Sequence, residues 1–200
     1  MSRQLLVVGV AGPTRAGKST LCRRIVESCA ADGVVVSVVH QDQFLRSGET
    51  PDAVDWRAFI KAIRAECAHA KSGTKDTSKQ AARLVLLEGF LLFSHPTVLD
   101  ACDVRICLSL SEATCYARRK ATKRAGLHGD AFDRYFAQVI WPAHRQHGDY
   151  AAATAAIDIP AGASDPSPVP FVVIDAEASA DDVHGAALAA LRPRILSLKG

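Results

Sequence analysis

Five short runs of this chain consist mostly of apolar residues, and the few polar residues within them do not alternate regularly with the apolar ones. The runs are rich in valine, leucine and isoleucine, as in the first of them, LLVVGV at residues 5–10. Continuous runs of this length predict strands that are buried on both faces, as in a parallel sheet. We therefore predict strands at residues 5–10, 34–39, 84–87, 104–110 and 170–175.

The stretches between these runs have the spacing of amphipathic helices. In the first of them, Leu21, Ile25 and Cys29 recur at intervals that place them on one helical face. Pro142 should interrupt one of the helices and Pro193 should end the last one, because proline lacks the amide hydrogen that a helix interior needs. We predict helices at residues 18–31, 51–71, 111–125, 131–146 and 180–191.

Strands that alternate with helices predict an α/β fold of three layers, with a five-stranded parallel sheet between two layers of helices. The chain of 200 residues suffices for one domain of ordinary size, and we predict a single domain over residues 1–200. Two polar or irregular stretches, 71–80 and 151–169, are predicted to be flexible loops within that domain.

Composition narrows the class of protein. Hydrophobic residues make up 48% of the chain and charged residues 22%, which is typical of a globular protein rather than a disordered one. A net charge of +3 is too small for a protein coated with nucleic acid. No apolar stretch is long enough to cross a bilayer and no secretory segment is evident, so we expect a cytoplasmic protein without a membrane partner. The six cysteines form no CxxC pair, and we expect reduced thiols in the core.

The stretch GPTRAGKST at residues 12–20 follows the first predicted strand and opens the first predicted helix. It satisfies the pattern GxxxxGK[ST], and a strand–turn–helix context is the one in which this pattern cradles phosphates. The glycines permit a tight turn whose amide hydrogens point at phosphate oxygens, and the helix N-terminus attracts anions. Lys18 would reach the β- and γ-phosphates, and the Ser19 hydroxyl would bind Mg²⁺. The sequence therefore predicts the P-loop NTPase version of the three-layer fold.

Two acidic residues come at the ends of predicted strands. Asp42 follows the second strand and Glu88 follows the third. Because ligands gather at the carboxyl ends of parallel strands, we expect both carboxylates near the P-loop. Asp42 would accept the proton of an attacking hydroxyl and help to hold the metal, and Glu88 would belong to the magnesium shell. A GTPase is disfavoured, because no Asn/Thr-Lys-x-Asp guanine-binding sequence follows a strand.

A basic cluster lies in and after the predicted helix at 111–125. Five lysines and arginines occur within residues 118–124, too many to share one helical face. Beside a P-loop this cluster predicts a basic helical lid at about 116–130, whose cations neutralise a transferring phosphoryl group. No aromatic residues interleave these charges, so a nucleic-acid partner is not expected. His144 and His147 lack a third ligand nearby in sequence, and we interpret them as surface histidines.

Taken together, these stretches resemble a known family. GPTRAGKST, QDQF at 41–44, LLEGFLLF at 86–93, the arginine-rich lid and YFAQVIWP at 135–142 resemble the nicotinamide riboside kinases, which are uridine kinase-like P-loop kinases. The resemblance extends from about residue 5 to about residue 175. It implies transfer of the γ-phosphoryl group of ATP, with Mg²⁺, to the 5′-hydroxyl of a ribonucleoside, with nicotinamide riboside as the favoured substrate.

The resemblance also implies roles for individual residues, with Arg118 facing the nucleoside and Arg119 facing the phosphates. The residues implied in catalysis are Lys18, Asp42 and Arg119, and those implied in metal binding are Ser19, Asp42 and Glu88. Those implied in ATP binding are Gly12, Pro13, Thr14, Arg15, Ala16, Gly17, Lys18, Ser19, Thr20, Arg119, Arg124, Glu177, Ala178 and Ser179. Those implied in nucleoside binding are Asp42, Gln43, Phe44, Leu45, Gly48, Glu49 and Arg118.

Several positions depart from the pattern of that family. Gln43 stands where the family has a second acid, Leu45 where it has an aromatic residue, and Gly48-Glu49 where it has a Tyr-Asp pair. Glu49 can still accept hydrogen bonds from ribose hydroxyls, but two aromatic faces that would stack on a cationic pyridinium ring are missing. The base therefore stays open between nicotinamide and a pyrimidine. A nucleotide-binding regulator without transfer activity is the alternative from another class, and the choice between ATP and GTP and the oligomeric state also stay open.

Overall fold

The structure is a computed structural model that describes residues 5–48, 50–71, 82–122, 129–148, 169 and 171–199. At its centre is a parallel sheet of five strands in the order β2-β3-β1-β4-β5. The strands are β1 Leu5–Ala11, β2 Val35–His40, β3 Arg83–Gly89, β4 Val104–Ser109 and β5 Phe171–Asp175. They match the five predicted strands to within one or two residues at each end, so the parallel sheet is confirmed.

Helices cover both faces of this sheet. Those within the described ranges are α1 Lys18–Ala31, α2 Trp56–Lys71, α3 Pro96–Ala101, α4 Glu112–Lys120, α5 Asp130–Tyr135, α6 Trp141–His147 and α7 Ala180–Lys199. On one face, Val8 of β1 belongs to a buried cluster that includes Ile25 of α1 and Leu191 of α7. On the other face, Val7 belongs to a second cluster that includes Phe59 of α2. The three-layer α/β/α architecture is therefore confirmed.

The position of β1 explains where a ligand would bind. β1 is the middle strand, with β3 on one side and β4 on the other, so the chain crosses the sheet in opposite directions from it. The crevice beyond the carboxyl ends of strands at such a reversal is the usual binding site of an open α/β sheet. The P-loop leaves β1 at this point.

Five of the six cysteines are buried, as expected of core thiols.

The helix predicted at 51–71 is shorter than expected. Pro51–Ala53 forms a separate 3-10 turn, and α2 begins only at Trp56. Asp55 precedes it and accepts a hydrogen bond of 3.0 Å at Oδ1 from the backbone N of Ala58. Asp55 is therefore the N-cap of α2, and an N-cap residue does not have a helical backbone.

The prediction that Pro193 ends the last helix is wrong. α7 continues through Pro193 to Lys199. Leu191, Ile195 and Leu198 lie on both sides of the proline and are all buried in the core. A proline inside a helix costs about 3 kcal/mol, and the burial of these three apolar side chains offsets that cost.

The interruption expected at Pro142 is confirmed. The segment from α5 to α6 contains a π-helical turn, Phe136–Ile140, that ends two residues before the proline. In an α-helix the proline ring would clash with the carbonyl four residues earlier, here that of Gln138, and a π-helical turn is one of the irregularities by which a helix accommodates such a residue. In contrast, α3 was not predicted at all, and Pro96 as its first residue is the signal that could have revealed it.

Three predicted features lie wholly or mostly outside the described residues. These are the loops at 71–80 and 151–169, together with the part of the lid at 123–128. Among the helices that the structure describes, none is long and apolar enough to cross a membrane.

Candidate active site

The P-loop joins β1 to α1 in the middle of the sheet. Gly12 has a φ of 145° and lies against β4, where a Cβ added to it would come within 2.6 Å of the carbonyl oxygen of Leu108. Gly17 has a φ of 88° and is the N-cap of α1. Arg15 has a φ of 64°, in the left-handed region that residues other than glycine rarely adopt. These conformations turn the backbone sharply just before the first amides of α1, which have no acceptor within the helix.

Lys18 is the first residue of α1, and its side chain folds back onto the loop. Its Nζ donates hydrogen bonds to the carbonyl oxygens of Gly12 and Pro13, at 3.1 and 3.0 Å. An ammonium group is therefore held beside the backbone of the P-loop. The loop thus combines a fixed positive charge with the N-terminus of a helix, and both attract a polyphosphate.

Glu88, near the end of β3, is the point at which three elements meet. It is only 6% exposed. Ser19 of α1 donates its hydroxyl hydrogen to Oε1 at 2.6 Å, and Nδ1 of His40 lies 2.6 Å from Oε2. The strand registers pair Glu88 with Val10 of β1 and with His40 of β2. His40, Glu88 and Ser19 are therefore linked by two short hydrogen bonds at the carboxyl edge of the sheet, and we call them the Glu88 cluster.

The donor atoms of this cluster fit a magnesium ion. Mg²⁺ is a hard cation that prefers carboxylate, hydroxyl and water oxygens. Because Ser19 uses its hydrogen in the bond to Glu88, the lone pairs of its oxygen remain for a cation. Ser19 and Glu88 are therefore the residues that would hold a metal next to the P-loop.

Asp42 lies at the same edge of the sheet. It belongs to the 3-10 turn Gln41–Phe44, which directly follows β2, and its side chain is exposed. It follows His40 by two residues, and His40 is paired with Glu88 across the two strands. The structure thus brings Asp42 and Glu88 to the edge that carries the P-loop.

A buried amide fixes the turn that carries Asp42. Gln41 is fully buried, and its Oε1 accepts a hydrogen bond of 3.0 Å from the backbone N of Leu91. A Cβ added to Gly89 would come within 2.7 Å of the Cβ of Gln41. The close approach of this turn to the end of β3 therefore requires glycine at position 89.

Two residues implied in nucleoside binding make contacts within the protein. The ring of Phe44 packs on that of Phe59 in α2, with centroids 5.3 Å apart. Leu45 forms an isolated antiparallel bridge with Val54. These contacts pack the segment between β2 and α2 against the rest of the protein, and they do not depend on a bound ligand.

The other residues implied in ligand binding are distributed between the surface and the helix ends. Ser179 caps α7, because its Oγ accepts a hydrogen bond of 3.1 Å from the backbone N of Asp182. The residues that are simply exposed are Thr20, Gln43, Gly48 and Ala178. Glu49 and Arg124 lie outside the described residues.

Arg118 of α4 connects the P-loop to the turn after β5. Its guanidinium donates to the carbonyl oxygens of Arg15, at 3.4 Å, and of Ala176, at 3.1 Å. The next residue of that turn, Glu177, accepts a hydrogen bond of 3.1 Å from the backbone N of Ser111 at the start of α4. Hydrogen bonds from the side chain and backbone of Ser111 lower the pKa of the Glu177 carboxyl. The first helix of the lid is therefore attached to the turn after β5 at two points.

Positive charges converge around Cys115, which lies one turn before the lid arginines. Its thiol donates to the carbonyl oxygen of Thr14 at 3.2 Å. Burial raises the pKa of the Cys115 thiol to about 11, although the charges of Arg119, Lys18 and Arg118 act in the opposite direction. The charges of all three cations therefore act on a thiol that contacts the P-loop, so their positive field extends to the loop.

The interpretation of His144 as a surface histidine is wrong. It is 7% exposed, and burial together with the charge of Lys18 lowers its pKa to about 4. A small cavity beside it is lined by Pro13, Thr14, Phe90, Cys115, Ile140, Trp141 and His144. The π-helical turn before α6 directs His144 towards the P-loop, which its spacing from His147 could not reveal.

Sequence reasoning missed His40 and Gln41 as members of this site. Both follow the apolar run at 34–39, and a polar pair directly before Asp42 was the available signal. Their partners, Glu88 and Leu91, lie about 50 residues further along the chain. Only the order and register of the strands identify these partners.

The chain belongs to the AAA domain family, whose family model matches residues 8–126. The matched region starts within β1 and includes the P-loop, Asp42, Glu88 and both lid arginines.

Individual relatives narrow the class further. The chain is 23% identical over 167 residues to nicotinamide riboside kinase 2 of Mus musculus, covering 71% of this chain and 79% of that protein. It is 23% identical over 184 residues to the uridine kinase of Deinococcus deserti, covering 78% of this chain and 87% of that protein. Among solved structures, a gluconokinase from Sinorhizobium meliloti 1021 superposes with a TM-score of 0.53 at 17% identity, covering 96% of this chain and 95% of its own.

These comparisons confirm the resemblance to the nicotinamide riboside and uridine kinases. The solved neighbour confirms the P-loop kinase fold. The relatives support a nucleotide-binding phosphotransferase of the nucleoside kinase class, and their names divide between nicotinamide riboside and uridine.

Proposed function

We propose that this protein transfers the γ-phosphoryl group of ATP to the 5′-hydroxyl of a ribonucleoside, with nicotinamide riboside as the first candidate substrate. The reaction would yield nicotinamide mononucleotide, an intermediate of NAD synthesis. We propose the cytoplasm as its location.

The observation that carries this proposal is the convergence of three chemical groups at one edge of the sheet. The Lys18 ammonium is held on the P-loop, the Glu88 cluster lies next to it, and Asp42 follows the strand that contributes His40. A phosphate cradle, a metal site and a carboxylate beside them are the parts that phosphoryl transfer to a hydroxyl needs.

Each part has a defined task in the proposed reaction. The P-loop amides and Lys18 would hold the β- and γ-phosphates, and Asp42 would orient the nucleoside hydroxyl and accept its proton. Arg119 would balance the charge on the transferring group, and its charge already acts on Cys115, which contacts the P-loop at Thr14. Bound Mg²⁺ would neutralise phosphate charge, and Ser19 and Glu88 would hold it, with Asp42 as the third candidate ligand. Catalysis would come from positioning and electrostatics rather than from a covalent intermediate.

A pyrimidine nucleoside is the second candidate substrate, and two observations favour it. One of the relatives is a uridine kinase. In addition, Leu45 and Gly48 stand where the nicotinamide riboside kinases have aromatic residues, so the stacking surface for a cationic ring is reduced.

A substrate panel tests the proposal. Purified protein, ATP and Mg²⁺ are incubated with nicotinamide riboside, uridine, cytidine or gluconate, and ADP release is measured for each. The proposal predicts the highest kcat/KM with nicotinamide riboside. Faster turnover of a pyrimidine nucleoside would change the proposed substrate but leave the proposed reaction unchanged. Turnover of gluconate alone would contradict a nucleoside kinase.

The variant Asp42→Asn separates a kinase from a nucleotide-binding regulator. Loss of the base should reduce kcat by about 10² to 10⁴-fold, while the affinity for ATP measured without Mg²⁺ stays close to that of the wild type. Asp52→Asn is the matched control, because Asp52 is also exposed and lies in the neighbouring 3-10 turn. If wild type and both variants bind ATP equally and none phosphorylates a substrate of the panel, the regulator is favoured.

A further inference from the structure

His40 is a neighbour of Glu88 because of the strand register. β2 lies beside β3, and the two residues are directly paired. Paired residues of parallel strands point to the same face of the sheet. On this face Leu84 and Leu86 of β3 pack in the core cluster that contains α1, the helix that contributes Ser19. The imidazole and the hydroxyl therefore approach Glu88 from two different elements on one face.

The two bonds to Glu88 use different oxygens. Ser19 donates to Oε1, and the Nδ1–H of His40 donates to Oε2, each at 2.6 Å. A carboxylate can only accept hydrogen bonds, so the proton of the imidazole that faces it must be on Nδ1. With one donor on each oxygen, the plane of the carboxylate is fixed and the orientation of Oε1 towards Ser19 is determined.

The burial of Glu88 makes this second donor important. Its side chain is 8% exposed, whereas that of His40 is 41% exposed. A buried carboxylate is costly unless its oxygens accept hydrogen bonds. Without His40, Oε2 would lose the only hydrogen-bond partner that the described residues give it, and the carboxylate could rotate about its terminal bond away from Ser19.

We propose that His40 is a positioning residue of the metal site: its Nδ1–H holds Oε2 of Glu88, so that Oε1 and the Ser19 oxygen present a fixed pair of oxygens to a divalent cation. This inference rests on the proposed function, because it assumes that Ser19 and Glu88 bind the metal of a metal–nucleotide complex. Outer residues that orient metal ligands typically change metal affinity by about 10 to 100-fold when they are removed.

Three substitutions of His40 separate this role from simple packing. Asn carries an amide N–H at about the distance of Nδ1 from the backbone, so His40→Asn retains a donor to Oε2. His40→Gln carries the same amide one carbon further out, and His40→Val retains strand propensity without any donor. His184→Asn is the control, because it changes the same residue type at the contact with Ser28, between α1 and α7.

The readout is binding of Mn²⁺ in the presence of saturating ADP, measured by the loss of the electron paramagnetic resonance signal of free Mn²⁺. Thermal unfolding of each variant shows that it is folded. We expect His40→Val and His40→Gln to weaken Mn²⁺ binding by about 10-fold or more. His40→Asn and His184→Asn should stay close to the wild type.

Equal Mn²⁺ affinity in the wild type, His40→Gln and His40→Val overturns the inference, and so does equal loss in His40→Asn and His40→Gln. Absence of Mn²⁺ binding by the wild type with ADP overturns it as well. The fate of the proposed function is read separately in the substrate panel. If the Mn²⁺ series follows expectation but no nucleoside is phosphorylated, the positioning role stands and the proposed function fails.

Discussion

Ser19 and Glu88 are 69 residues apart in the chain and are joined by a hydrogen bond of 2.6 Å between the start of α1 and the end of β3. This contact connects the P-loop unit to the neighbouring strand. It places the carboxylate of Glu88 next to the hydroxyl of Ser19, the residue that ends the GxxxxGK[ST] motif. The role of this contact can be tested at Glu88, and other contacts of the structure lead to predictions at three further positions.

Glu88→Gln should nearly abolish phosphoryl transfer. The amide is similar in size to the carboxylate but has no charge, so the site loses an anionic oxygen for the cation. We expect kcat/KM to fall by about 100-fold or more, measured as ADP release over a range of Mg²⁺ concentrations. Glu27→Gln is the control on the exposed face of α1, where Glu27 pairs with Arg23. If Glu88→Gln is about as active as Glu27→Gln, Glu88 is not a ligand of the catalytic metal.

Gly89→Ala should destabilise the protein. A methyl group at this position collides with the side chain of Gln41, which is itself held by the backbone N of Leu91. Overpacking of this kind costs roughly 1–3 kcal/mol in the free energy of unfolding, measured by urea denaturation. Gly185→Ala is the matched control, because Gly185 lies in α7 with no atom near an added Cβ. That control should gain about 0.5–1 kcal/mol, and equal stability of the two variants would contradict the close contact.

The stability of the protein should fall between pH 6.5 and pH 5 because of His144. The pKa of His144 is about 4 in the folded protein, against about 6.5 in an unfolded chain. Within this window the unfolded chain binds a proton that the folded protein does not, so stability is present at high pH and is lost as the pH falls. The expected loss is about 2 kcal/mol over these 1.5 pH units.

Urea denaturation at pH 6.5 and at pH 5 checks this loss. His144→Leu removes the titrating group and should lose about 2 kcal/mol less than the wild type between the two pH values. Ile140→Val is the control, because Ile140 lines the same cavity without an ionisable group. It should lower stability equally at both pH values. Identical pH dependence in the wild type and His144→Leu would show that His144 is not buried in its neutral form.

Arg118→Met should weaken ATP binding. The guanidinium spans the carbonyl oxygens of Arg15 and Ala176, and methionine fills similar space without a donor. Arg15 belongs to the P-loop and Ala176 directly precedes the turn implied in ATP binding, so these charged hydrogen bonds hold two parts of the ATP site together. Their loss should raise the dissociation constant for ATP by about tenfold, measured by isothermal titration calorimetry. The control is Arg192→Met on the exposed side of α7. An increase in the KM of the nucleoside alone would instead favour the substrate-facing role that the family resemblance implies for Arg118.

Much of the fold could be predicted from the sequence because its signals are local. A run such as LLVVGV is apolar at every position, and only a strand buried on both faces uses such a run well. The P-loop is likewise a local motif, in which Gly12, Gly17 and Lys18 act through backbone conformation and charge over a few residues. The carboxyl ends of parallel strands share one edge, so the location of Asp42 and Glu88 also followed.

The errors arose where distant contacts decide local structure. α7 passes through Pro193 because Leu191, Ile195 and Leu198 gain burial in a core built by the whole sheet. His144 is buried because the chain from α5 to α6 packs against the P-loop. No pattern within that segment predicts this packing.

The sequence by itself determined the parallel α/β fold, the phosphate-binding loop and the two acids at strand ends, since apolar continuity and motif spacing are properties of neighbouring residues. Only the tertiary structure decided that β3 lies between β1 and β2, and this order places His40 beside Glu88 and Gln41 beneath Gly89. The physical reason is that strand order and register depend on how helices fill both faces of the sheet at once. No single segment contains that information.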